Sequence, residues 1–121
     1  MKPQIIKPEI KREFLTDERC WILESWNDES DRVISIARAR VEPGVTTQLH
    51  RLKGVDERYL ITEGTGIVEI GDLPHEDVKT GDVVVIPAGT SQRITNTGSG
   101  GLVFYCICTP QFTPQCYETL E

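Results

Sequence analysis

The chain has 121 residues, with 13 Lys and Arg against 19 Asp and Glu, a formal charge of −6. Without a run of basic residues, this balance argues against a nucleic-acid partner, which clustered Lys and Arg would have to neutralise. A hydrophobic content of 38% and a charged content of 26% fit one soluble globular domain, and no apolar run approaches membrane-spanning length.

In chain order, the N-terminal arm (1–32) opens Met1-Lys-Pro-Gln-Ile-Ile-Lys-Pro. It lacks the apolar stretch of a secretory signal, so a cytoplasmic location is expected. The arm is expected to hold a strand around Cys20–Leu23 and little else. Trp21 and Trp26 would pack on an outer wall or in a homodimer interface, where aromatics are enriched. Residues 33–41 alternate over their second half in strand fashion, and Pro43-Gly44 ends them with turn chemistry. Residues 57–63 and 66–70 are short apolar runs joined around Gly64-Thr-Gly66, a hairpin pattern. A short strand over 76–79 precedes Thr80-Gly81-Asp82. The β-branched run Val83 to Ile86 stops at Pro87-Ala-Gly89. Further strands are expected over 92–95 and 102–108, separated by the glycine-rich turn at 97–101. The tail, 109–121, carries Pro110 and Pro114 and is expected to be irregular, with Phe112 and Tyr117 packing back on the barrel or on a second subunit. Frequent short strands and turns predict an all-β sandwich or barrel.

Four cysteines, Cys20, Cys106, Cys108 and Cys116, form no CxxC pair. Cys106 and Cys108 fall on one face of a strand, poorly placed to bond to each other, and reduced thiols are expected in a cytoplasmic chain.

Two segments share a bipartite spacing. The first is Gly44, then His50-Arg-Leu52, Glu57 and Gly64. The second is Gly81, then Pro87-Ala-Gly89, Gln92 and Asn96. This resembles the cupin signature, with Leu52 where that family carries its second histidine and Gln92 where it carries its last. The resemblance spans about residues 33–108. It implies a single jelly-roll-like cupin β-barrel of two antiparallel sheets, flanked by the arm and tail as one domain over 1–121. It also implies a divalent metal (Fe, Mn, Ni or Zn) held inside the barrel.

Carried over residue by residue, the metal ligands would be His50, Glu57 and Gln92. A neutral imidazole is the commonest metal ligand, a carboxylate adds charge, and an amide oxygen can coordinate weakly. Leu52 has no lone pair to offer. Strand alternation turns Arg51, Arg58 and Arg93 away from the interior and Tyr59 and Ile94 into it. The expected pocket wall is Leu52, Tyr59, Ile61 and Ile94, with Phe104, Cys106 and Cys108 added by the resemblance. Asn96 is expected to bond loop backbone, and His75 to lie on the surface.

The function implied is a metal-dependent cupin acting on a small anionic or enolisable molecule, in the manner of a dioxygenase, a sugar isomerase or epimerase, or a lyase. Glu57 or a metal-bound water would handle the proton and Tyr59 orient the substrate. The alternative is a metal-free, non-catalytic cup for a small-molecule or sugar ligand. Small single-barrel members of the family often pair, so a homodimer is expected.

Overall fold

The computed structural model describes residues 1–121. Eleven strands form two antiparallel sheets. They are β1 (Phe14–Leu15), β2 (Trp21–Trp26), β3 (Ser35–Val41), β4 (His50–Leu52), β5 (Asp56–Glu63), β6 (Thr65–Ile70), β7 (Glu76–Lys79), β8 (Val83–Ile86), β9 (Gln92–Asn96), β10 (Leu102–Thr109) and β11 (Tyr117–Thr119). One sheet runs β1-β2-β3-β10-β5-β8 and the other β11-β4-β9-β6-β7. The only helical pieces are single 3-10 turns at Ile10–Arg12 and Pro114–Cys116. No helix is long and apolar enough to cross a membrane.

Period-two alternation decides what each sheet buries. Along β5, Glu57, Tyr59 and Ile61 are buried while Asp56 and Leu60 are exposed. Along β9, Gln92, Ile94 and Asn96 are buried. The inner faces meet in a core that includes Val41, Ile61, Ile86, Ile94, Leu102 and Phe104. Each such side chain contributes about 1.5–3 kcal/mol by leaving water. The outward arginines are held by surface partners: Arg51 on Glu118 at 2.8 Å, Arg93 on Glu69 at 2.8 Å, and Arg58 on Thr109 Oγ1 at 2.5 Å. Strand β8 is a free edge, with Val83 and Val85 exposed.

The arm and the tail carry more structure than their sequences suggest. β1 and β2 form a hairpin whose turn, residues 16–20, is closed by Thr16 N–H donating to Cys20 O at 3.0 Å and Arg19 N–H donating to Thr16 O at 3.1 Å. The tail is not irregular throughout. β11 pairs with β4, Tyr117 opposite Leu52 and Thr119 opposite His50. Lys53 N–H donating to Cys116 O and Leu120 N–H donating to Leu49 O, both at 2.8 Å, extend the ladder. A three-residue strand is too short to show a period, so only its partner reveals it. Trp21 lies beneath the Arg40 guanidinium, 5.2 Å from the ring centre, and the Trp26 indole N–H donates to Asp31 at 3.0 Å.

Two devices close the end of the barrel away from the site. Gly64 has φ +85°, and a Cβ there would sit 2.8 Å from Gly101 O, so the β5–β6 hairpin requires glycine. Asn96, 1% exposed, donates through Nδ2 to Val41 O and Gly100 O, each at 2.8 Å, and accepts from Gly98 N–H at 2.9 Å. Asn96→Ala leaves the buried Val41 carbonyl without its donor and frees the Gly98–Gly100 turn. It is expected to cost about 2–4 kcal/mol, read as a lower urea midpoint with an unchanged slope.

Candidate functional site

Strand register assembles the site. His50 on β4 lies directly opposite Gln92 on β9. On the facing sheet, β5 and β10 pair so that Glu57 stands opposite Cys108 and Tyr59 opposite Cys106. All of these side chains except half-buried Cys106 are buried. The three expected ligand positions thus come from β4, β5 and β9 and meet where the two inner faces approach.

His50 is held in one tautomer. Its Nδ1–H donates to the Gln48 carbonyl at 2.8 Å, leaving Nε2 with a free lone pair. Its ring stacks on Tyr117, with centroids 4.7 Å apart and planes at 20°, and the Tyr117 hydroxyl donates to Gln48 Oε1 at 2.5 Å. Burial lowers the imidazole pKa, which favours the neutral ring.

Glu57 is 7% exposed. The Cys108 thiol donates to Oε2 at 3.7 Å, and Oε1 has no partner. Burial raises its pKa, opposed by the neighbouring Gln92 amide and the Cys106 and Cys108 thiols. Tyr59 donates its hydroxyl proton to Gln92 Oε1. Burial pushes the Tyr59 pKa far up, so that proton stays in place. Gln92 Nε2 is left unpaired.

A cavity of about 290 Å³ opens onto this cluster, lined by His50, Leu52, Glu57, Cys106 and Cys108 from the barrel. The arm contributes Phe14, Glu18 and Glu24, and the tail Phe112 and Tyr117. A smaller void of about 20 Å³ shares Glu18, Ile22, His50, Glu57 and Cys106 with it and reaches Tyr59 and Phe104. None of the side chains lining either space is Lys or Arg. Ile61 and Ile94, expected in the pocket wall, line neither space. Both are fully buried in the core cluster between the two sheets. Gln92 also lies outside the lining and supports Tyr59 from behind.

Sequence reasoning missed Glu18, Glu24 and the place of Tyr117. Glu18 sits in Asp17-Glu18-Arg19, a charged tripeptide that reads as a solvated turn. Nothing local says that the hairpin carrying it closes the cavity. The pKa of Glu18 is pushed up to about 7, by burial and then by the Glu57 charge.

The donor set expected for a metal is incomplete. His50 Nε2 and Glu57 Oε1 are free to ligate. The oxygen of Gln92 is taken up by the Tyr59 proton, and no three His, Cys, Asp or Glu side chains come together to hold one ion.

The Cupin domain family model matches residues 37–108. The chain is a cupin. This cupin is 36% identical over 87 residues to an uncharacterised protein of Methanocaldococcus jannaschii, a match covering 72% of this chain and 69% of that one. It is 36% identical over 73 residues to the oxalate-binding protein of Thermotoga maritima, covering 59% and 58%. Among solved structures, a predicted oxalate decarboxylase of T. maritima superposes with a TM-score of 0.72 at 26% identity, covering 87% of this chain and 93% of that one. A uridine-bound variant of Streptomyces Pac13, a nucleoside dehydratase, superposes with a TM-score of 0.80 at 14% identity, covering 100% and 93%. The latter likeness is one of fold.

The raised pKa of Glu18 has a stability signature. The unfolded carboxyl loses its proton near 4.5 and the folded one near 7. Folding is therefore favoured below this window, and the contribution is lost as pH rises through it. Thermal melts are expected to show a falling Tm between pH 5 and pH 8, with a shallower fall in Glu18→Gln.

Proposed function

We propose that this cupin binds a small molecule without negative charge in the cavity and moves a proton on it with its own side chains. The observation that carries this reading is the cavity's charge: three glutamates and no cation line it. An anion would meet carboxylates and no partner, at a cost in a poorly solvated space. This narrows the anionic-or-enolisable class implied by the sequence to enolisable molecules without negative charge.

Glu57 is the base. Burial makes its carboxylate more basic than an exposed one, in the direction required for taking a proton from a carbon beside a carbonyl. Neutral His50 presents Nε2 as an acceptor for a hydroxyl of the ligand. Tyr59 is a positioning residue, since its proton is committed to Gln92, and the Tyr59–Gln92 pair holds the floor beneath Glu57. The reaction class supported is isomerisation or elimination by proton transfer. With a ligand found by a thermal-shift screen, deuterium uptake from solvent, followed by NMR, is expected to fall roughly 100-fold or more in Glu57→Gln. A reduced ligand-induced shift should remain, since His50 and Glu18 still line the cavity.

A divalent ion is the second reading, favoured by the unpaired Glu57 Oε1 and the free His50 nitrogen on two side chains that line the same cavity. Such an ion would supply the positive charge that an anion such as oxalate requires. The two readings separate on elemental analysis after loading with Fe(II), Mn(II), Ni(II) and Zn(II), combined with oxalate titration. The metal-free reading expects far less than one equivalent and no oxalate-induced change in Tm. Stoichiometric metal with a metal-dependent oxalate shift would replace it with the second reading.

A further inference from the structure

We infer that the cavity selects a small molecule carrying a positive charge, an organic amine, with Glu18 and Glu57 as its counter-charges and Glu24 at the mouth. This rests on the small-molecule reading above and names the class of ligand.

Three observations converge on it. Glu57 is 7% exposed, its side chain lines the cavity, and its buried Oε1 has no hydrogen-bond partner. A buried carboxylate oxygen in that state lacks a donor or a cation.

The second observation is how Glu18 reaches the same space. Arg19, the next residue, adopts φ 67°, the only non-glycine residue with positive φ. Such a conformation is strained for an arginine and is sustained by surrounding contacts. Its guanidinium donates to the Glu121 carboxylate at 2.9 and 3.2 Å and to Thr46 O at 2.9 Å. The Glu18 carbonyl accepts from Gln48 N–H at 2.9 Å. The turn is thus pinned to the barrel rim, with the cation spent outside and the carboxyl delivered inside.

The third observation is the cavity's company. The arginines nearest in sequence to the site elements lie outside the cavity: Arg40 on Glu13 at 2.5 Å, Arg38 at 3.6 Å from Glu13, Arg51 on Glu118, Arg93 on Glu69, and Arg58 on the Thr109 hydroxyl. Phe14, Phe112 and Tyr117 line the same cavity, and aromatic faces attract ammonium groups. A bare dication needs several donors at one point, and no three acidic, His or Cys groups supply that here. An ammonium needs no such convergence. Its N–H groups can reach carboxylates at different depths. At about 290 Å³, the space lies just below the usual range for drug-sized ligands, so the amine is small.

The test is a matched series on the intact chain: benzylamine, benzyl alcohol and benzoate, and the same three end-groups on cyclohexylmethyl and n-butyl skeletons. Binding is followed by thermal shift and calorimetry, with Mn(II) and Zn(II) alone as further probes. The expected result is amine binding at least ~10-fold tighter than the alcohol, no carboxylate binding, and no shift with metal alone. Glu18→Gln should weaken the amine ~10-fold and leave the alcohol unchanged. Glu24→Gln, at the exposed mouth, keeps the test valid if the first variant folds poorly, and should act in the same direction. Equal binding of amine and alcohol overturns the charge inference while leaving the small-molecule reading intact. Preference for the carboxylate, binding of metal alone, or no binding by any amine also overturns it.

Discussion

Pairing β5 with β10 so that Glu57 faces Cys108 and Tyr59 faces Cys106 commits a carboxyl, a phenol and two thiols to the interior of a small barrel. A β-strand offers no way to withdraw one of them. Slipping the register by one residue would bury Arg58 and Leu60 instead and expose every neighbour on that face. The polar cluster is therefore imposed by the same hydrogen bonds that hold the sheet together. The remaining structure has to accommodate it.

Accommodation is uneven. Tyr59 and Gln92 satisfy each other on one side, but Gln92 Nε2 and Glu57 Oε1 stay unpaired. Buried polar atoms in native proteins are nearly always partnered. These two lie at and just behind the wall of the cavity that the arm and the tail complete; the third such atom, Arg38 Nη1, lies away from it, 3.6 Å from Glu13. Other buried polar groups are satisfied: Asn96 is bonded through both its amide atoms, and Thr47 Oγ1 accepts from Ile94 N–H at 3.0 Å.

The arm and tail act as specificity elements on a common scaffold. Fold alone does not set function, and the barrel residues of this chain, His50, Glu57 and Tyr59, would suit several chemistries. Phe14, Glu18 and Glu24 from the arm and Phe112 and Tyr117 from the tail give the cavity its charge and its aromatic walls. Arg19 and Glu121 tie these two peripheral segments to each other across the rim, so the charge of the cavity depends on a contact between opposite ends of the chain.

Much was legible in the sequence. Spacing of Gly44, His50, Glu57 and Gly64, and of Gly81, Pro87, Gly89, Gln92 and Asn96, carried the family. Alternation along residues 57–61 and 92–96 assigned the inward side chains, because the side-chain period of a strand is local and invariant. The tertiary structure decided what those inward positions became. Ile61 and Ile94 went into solid core, Gln92 turned its oxygen to Tyr59, and Glu18, on no strand, entered the cavity. These outcomes depend on how far apart two sheets stand and on which distant segment closes the gap between them. Both are set by packing across the whole molecule, which no local pattern of residues encodes.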